Sequence, residues 1–158
     1  MVRIGHGYDV HAFGGDKALI LGGVEIPEHV GLLAHSDGDV ILHAVCDAIL
    51  GGAALGDIGH HFPDTDSQFK NIDSRLLLRN VLDLIREKQF SVGNLDITVV
   101  AQTPHLAEYT EAIKKNICAD LRVKPSDVNI KATTTEKLGF IGRNEGIAVH
   151  CVSLLVAD

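Results

Sequence analysis

From Val2 to Phe13 the chain reads VRIGHGYDVHAF, and apolar side chains fall on alternate positions: Val2, Ile4, Tyr8, Val10 and Ala12. A period of two is the signature of a β-strand with one apolar face. ALIL and VEIP, separated by Gly22 and Gly23, predict two short strands joined by a tight hairpin turn. The period then changes in HSDGDVILHAVCDAILGGAALG. Val40, Ile41, Ala44, Val45, Ala48 and Ile49 recur at helical spacing, Ser36 or Asp37 is placed to cap the helix, and Gly51–Gly52 marks its end. A polar loop rich in glycine and aspartate, GDIGHHFPDTDSQFKNID, follows. Asp73 caps a second helix, SRLLLRNVLDLIREKQ; NLDITVVAQ alternates as a strand; LAEYTEAIKKNICADL is a third helix. DVNIKATTT and GIAVHCVSLLVA are the closing strands, joined by the glycine-punctuated EKLGFIGRNEG. With no internal repeat, low-complexity segment or linker, residues 1–158 predict a single domain. The order mixes crossovers with hairpins, so the expected fold is α+β: a mixed sheet of four to five strands with helices packed on one face.

Composition narrows the function. The 46% hydrophobic and 22% charged fractions are those of a globular protein. No apolar run is long enough for a transmembrane helix, and MVRIGHG lacks the features of a secretory signal. Cys46, Cys118 and Cys151 are odd in number and form no CxxC pair, which suits reduced, buried thiols and a cytoplasmic location. A net charge of −7, with no basic stripe, excludes nucleic acid as the natural partner. Nine histidines direct attention to metal and acid–base chemistry.

Asp9 and His11 are two apart in a strand and leave the same face. His43 lies on the first long helix, four residues from both Asp39 and Asp47. Asp9, His11 and His43 can together supply three ligands and leave a fourth tetrahedral position open, the arrangement of a working zinc. Asp39 or Asp47 is then placed to orient the imidazole through its other nitrogen. The competing reading has His43 on a polar helix face and Asp9 and His11 capping a strand end. GHG lacks the third glycine of a dinucleotide fingerprint, which excludes that class. His35 precedes a helix start, where backbone amides attract anions. KATTTEK puts Thr134 on one face of a strand end and Thr133 and Thr135 on the other, beside Glu136.

Taken together, GHGYDVHAF, LLAHSDGDVILHAVCDAILGGAALGDIGHHFPDTD, DITVVAQTPHL and VNIKATTTEKLGFIGRNEGIAVH resemble the 2-C-methyl-D-erythritol 2,4-cyclodiphosphate synthase family. The likeness runs from Val2 to Val156. It implies an enzyme of the non-mevalonate isoprenoid pathway that cyclises a cytidine diphosphate ester of methylerythritol 2-phosphate and releases CMP. It further implies a homotrimer with active sites between subunits. By motif position, Asp9, His11 and His43 are the zinc ligands, and His35 and Thr134 stabilise the transition state. Glu136 holds magnesium or manganese. Ala101, Gln102, Thr103, Pro104, His105, Leu106 and Ala107 form the cytidine pocket, with Thr133, Thr134, Thr135 and Glu136 against the phosphates. Asp57, Ile58, Gly59, Phe62, Pro63, Asp64, Thr65 and Asp66 face the methylerythritol portion, and Val10 and Ser36 complete the substrate contacts. Phe140 and Arg143 map to an axial cavity able to take an isoprenoid diphosphate. His105 departs from the family, whose familiar members carry lysine there; an imidazole touches a diphosphate as a cation only when protonated. The same three ligands also suit a zinc phosphohydrolase with a metal-bound water, and a non-catalytic binding trimer is the third class. Intact Asp9, His11, His35, His43, Thr134 and Glu136 speak against the last.

Overall fold

A computed structural model describes residues 1–157; Asp158, the last residue of the expected domain, lies outside them. The strands are β1 (Val2–Gly15), β2 (Leu19–Leu21), β3 (Val24–Ile26), β4 (Gly31–Leu32), β5 (Phe90–Val100), β6 (Val128–Thr133) and β7 (Gly146–Ala157). The helices are α1 (Val40–Gly52), α2 (Ile58–His61), α3 (Ser74–Glu87), α4 (Thr110–Leu121) and α5 (Gly139–Gly142). Five strands form one sheet in the order β4-β1-β7-β5-β6. Among the described residues only β5 and β6 pair in parallel, and α4 lies in the crossover between them, as a parallel pair requires. The hairpin β2–β3 is a separate two-stranded sheet, turning at Gly22 and Gly23 with φ +57° and +73°. Such a turn needs positive φ at both central positions.

The period of two in β1 has a direct packing consequence. A Cβ on Gly5 would lie 1.8 Å from the Ala48 carbonyl oxygen, and one on Gly7 1.9 Å from that of Ala44. Helix α1 therefore rests with its backbone almost against the strand, glycine below and alanine above. On that same face of β1 stand Asp9 and His11, and the next turn of α1 carries His43. The close approach that glycine permits is what brings the helix histidine within reach of the strand pair. Helix α1 is buried nearly all round, as expected of a helix at the centre of a core. Helix α3 is amphipathic and adds Leu77, Leu78, Val81, Leu82 and Ile85 to that core.

Two expectations fail locally. The helix cap is neither Ser36 nor Asp37 but Asp39, whose carboxylate accepts the Leu42 amide at 3.1 Å. Asp39 also accepts the amides of Gly22 at 2.9 Å and Gly23 at 2.7 Å, pinning the hairpin turn to the helix start. The loop after α1 is not wholly irregular: Asp57 caps the one-turn α2, and Asp66 caps a 3-10 turn at Ser67–Phe69. Cys46, Cys118 and Cys151 are buried free thiols, as expected. No helix among the described residues is long and apolar enough to cross a membrane.

Candidate metal centre and active site

Asp9 and His11 from β1 and His43 from α1 converge on one point. His11 Nε2 lies 2.9 Å and His43 Nδ1 3.2 Å from Asp9 Oδ2, and the two nitrogens are 3.3 Å apart. A tetrahedral ion at ordinary zinc–ligand distances spaces its ligand atoms about 3.3 Å apart. The residues fit such an ion. The alternative in which Asp9 and His11 merely cap a strand end does not account for three ligand atoms aimed at one another. Burial raises the Asp9 carboxyl, but the adjacent imidazoles of His11 and His43 outweigh it and hold it at about 2. Burial lowers His11, yet Asp9 overcomes this and leaves the imidazole above its ordinary value.

What lies behind the ligands settles which nitrogen faces the centre. His11 Nδ1 is 3.2 Å from the Leu33 carbonyl oxygen, which can only accept, so Nδ1 carries the proton and Nε2 presents its lone pair. His43 Nε2 is 3.0 Å from Ser74 Oγ and 3.2 Å from Ser36 Oγ. Ser74 Oγ donates to Asp37, which also accepts the Ser74 amide at 2.8 Å. The serine oxygen is thus free to accept from His43 Nε2–H, and Nδ1 is turned inward. This corrects the expectation for Asp39 and Asp47. Asp39 is the helix cap, and Asp47 accepts the Ile58 amide at 2.8 Å, holding the start of α2. The orienting pair is Ser74 and Asp37, from segments that the spacing around His43 does not bring to notice. Ser74→Ala should weaken metal binding by about 10–100-fold, read by competition with a chelator, while the circular dichroism spectrum stays that of the parent. Unchanged affinity would assign Ser74 to packing alone.

The centre opens into a cavity of about 340 Å³. His35, Ser36, Ile58, Gly59, Phe62 and Asp64 line it beside the three ligands. His35, Asp64 and Thr65 border an adjoining cavity. Asp57 does not line either; it caps α2 through the His60 amide at 2.9 Å. Asp66 likewise serves its own turn, accepting the Gln68 amide at 3.0 Å, and Pro63 is the turn residue between the lining positions Phe62 and Asp64. Val10 points to the opposite face of the sheet, where it is exposed, and does not line the cavity.

The remaining predicted residues stand elsewhere on the same chain. The register aligns Val10 with Ala148, Ala148 with Val100, and Val100 with Thr133. Thr133 to Glu136, after β6, and Ala101 to Ala107, after β5, therefore leave the sheet at the level of Asp9 and His11, but three and two strand spacings away, about 14 and 10 Å. There Thr134 Oγ1 accepts the Glu136 amide at 3.2 Å, and Thr135 donates to the Leu138 carbonyl at 2.6 Å. Thr133 donates to the Thr134 carbonyl at 3.1 Å. The turn holding Pro104, Leu106 and exposed His105 is tied down by Thr103, whose hydroxyl donates to Asn144 at 2.7 Å and faces His29 Nε2 at 3.0 Å. Gln102 Oε1 is buried with no partner among the described residues. Phe140 is partly exposed beside Arg143, which is paired with Glu145 at 2.9 Å.

Comparison with known proteins agrees with this geometry. The model of the YgbB family matches residues 2–156. A 2-C-methyl-D-erythritol 2,4-cyclodiphosphate synthase of Azotobacter vinelandii is 64% identical over 156 residues, covering 99% of both chains. Among solved structures, the bifunctional IspDF of Campylobacter jejuni superposes with a TM-score of 0.96 at 49% identity; it matches 100% of this chain, which spans 43% of that longer one. A Plasmodium falciparum IspF, solved as a CDP complex, gives a TM-score of 0.86 at 39% identity over 99% of this chain and 97% of its own. The chain belongs to the YgbB family, that of the 2-C-methyl-D-erythritol 2,4-cyclodiphosphate synthases.

Proposed function

We propose that the Asp9–His11–His43 cavity is where this chain carries out the synthase reaction of isoprenoid biosynthesis. The substrate is 4-diphosphocytidyl-2-C-methyl-D-erythritol 2-phosphate. An oxygen of its 2-phosphate bonds to the β-phosphorus, the bond from that phosphorus to the bridging oxygen breaks, and the electron pair leaves with CMP. The product is 2-C-methyl-D-erythritol 2,4-cyclodiphosphate. The carrying observation is the convergence of three ligand atoms, 2.9 to 3.3 Å apart, in the lining of a cavity of about 340 Å³. A relative solved with CDP adds a cytidine nucleotide as the ligand class. Mixing protein and substrate should yield CMP and the cyclic diphosphate together; a protein that forms neither overturns the reading.

Phosphoryl transfer needs in-line positioning and neutralised charge more than covalent help. When bound, zinc at Asp9, His11 and His43 supplies a positive charge to a phosphate oxygen, and magnesium or manganese at Glu136 does so for the neighbouring phosphates. His35, on the cavity wall, and Thr134 donate hydrogen bonds where negative charge moves. Ile58, Gly59, Phe62 and Asp64 enclose the methylerythritol portion, and the Ala101–Ala107 turn receives the cytidine. Because the nucleophile belongs to the substrate, the site requires no general base or nucleophilic triad. The phosphohydrolase reading has no observation that favours it.

The active assembly is a homotrimer with sites between subunits. Two observations support this. The His35 and Thr134 halves of the site are separated across the sheet within one chain. The face of the sheet away from α1 is also bare and apolar, with Val2, Ile4, Tyr8, Val10 and Val152 exposed, Ile4 by 72%. Contiguous exposed apolar residues mark contact surfaces, and closed symmetry is the common solution for identical chains. Sedimentation should report three times the 16.9 kDa chain; a fully active monomer would overturn the assembly. In the trimer, Phe140 and Arg143 offer an apolar surface and a cation to an isoprenoid diphosphate, for which Arg143 must exchange its Glu145 partner. Buried free thiols accord with a cytoplasmic home.

A further inference from the structure

The bare face of the sheet carries a second pair of imidazoles that the reaction does not use. His6 on β1 and His150 on β7 are both exposed in the single chain, and His6 Nε2 lies 3.1 Å from His150 Nδ1. The two rings are 5.4 Å apart between centroids and tilted by 31°. Tyr8, the register partner of His150 across the ladder, lays its ring against that imidazole at 4.8 Å. Both backbones lie inside the continuous β1–β7 ladder that runs from Val2 to Ala12, so the pair is held on rigid strands rather than on loops. By strand alternation His6 faces away from Asp9 and His11, and the pair is separate from the metal centre.

We propose that His6 and His150 form a two-imidazole chelate for a borderline divalent cation of the zinc, nickel and copper group. The nitrogen separation of 3.1 Å is close to the spacing of about 3.3 Å that a tetrahedral ion asks of its ligands. In the neutral pair one ring donates a proton to the other. A tautomer shift moves that proton to the far ring nitrogen, so both lone pairs turn to the same point with no net proton release. Imidazole donors select these cations over magnesium and calcium, which prefer oxygen. The surroundings do not oppose a cation. Val152 flanks His6, and Tyr8 and Thr98 flank His150 in register. The cationic neighbour on this face, Lys131, is neutralised by Asp96 at 2.6 Å. The chain as a whole carries a net charge of −7. Water, or groups of a second copy where bare faces meet, completes the coordination. The bound ion ties β1 to β7 on the side that α1 does not cover.

The test is equilibrium dialysis of the assembled protein, already loaded at the Asp9 centre, against increasing free zinc. The wild type should take up a second class of zinc ion, and this excess zinc should raise the melting temperature, as a ligand of the folded state does. His6→Gln and His150→Gln should each lose that second class and the melting shift, while keeping the first zinc and normal product formation. Retained product formation reports that each variant is folded and assembled, and the two variants test the pair independently. A wild type with no second class of zinc, or variants that both bind it unchanged, would overturn the proposal.

Discussion

His43→Ala should leave a protein that folds but no longer holds its metal and no longer turns over substrate. His43 is the one ligand that α1 contributes, and its loss leaves an Asp9–His11 pair from a single strand. An outer hydrogen-bond partner typically commands about 10–100-fold in metal affinity; loss of a direct ligand should exceed that, and product formation should fall with it. The core around it is otherwise intact, since Ala44, Val45 and Ala48 keep α1 seated on β1. The structural cost is the lost hydrogen bond between His43 and Ser74, of about 1–3 kcal/mol, since Asp9 keeps His11 and Ser74 Oγ keeps Asp37. Metal analysis and circular dichroism together read this result. Asp9→Ala should give the same loss from the strand side. Full metal content in purified His43→Ala would sink the assignment. In the parent, zinc affinity should weaken as pH falls through the His11 range. Protons compete for the same lone pair, and Asp9 holds that imidazole above its ordinary value, so the weakening begins at a higher pH than for a free histidine.

His35→Ala and Thr134→Ala should each lower turnover by about a hundredfold or more, the usual consequence of removing one donor from a developing charge. The Michaelis constant should change little, because the proposed hydrogen bonds strengthen in the transition state. Neither side chain serves the fold. His35 is exposed on the cavity wall, and the Thr134 hydroxyl does no more than accept the Glu136 amide at 3.2 Å. A loss of activity is therefore not a loss of structure, and an unchanged melting temperature should confirm this. Steady-state kinetics on both variants distinguishes the roles. A raised Michaelis constant with turnover intact would make the residue a binder instead.

The ligand set was legible because each ligand follows from a short-range rule. Alternation puts Asp9 and His11 on one face, and helical periodicity puts His43 on the adjoining element. What the sequence alone does not reveal is distance across the chain. Ser74 is an ordinary first-turn helix residue until the fold sets it against His43, and Asp37 looks like a helix cap until Gly38, at φ +74°, breaks the backbone before Asp39. Asp39 itself is fully buried, with burial pushing its carboxyl up against the pull of three amides. Spacing from His43 suggested a partner for the imidazole, but the amides of the β2–β3 turn claimed it first. The sheet was legible as a mixed sheet from its strands and crossovers. Its order was not, because register depends on pairing between segments more than a hundred residues apart, such as Asp9 with Val149. The separation of Thr134 from Asp9 by three strand spacings, which argues for a shared site, follows only from that order. The short α2 was missed because its one turn carries no periodic pattern, only the cap at Asp57.

The central claim is that the attacking oxygen comes from the substrate and not from water. Asp9, His11 and His43 would serve equally for a hydrolase, so neither their geometry nor their loss on mutation separates the two reactions. The origin of one oxygen atom does. The reaction is run on the cytidine diphosphate ester in water enriched in heavy oxygen, and both products are weighed by mass spectrometry. Intramolecular attack gives unlabelled CMP and a cyclic diphosphate free of solvent oxygen, which is the expected result. Heavy oxygen in CMP, or in a linear bisphosphate, would show that water is the nucleophile and would contradict the account.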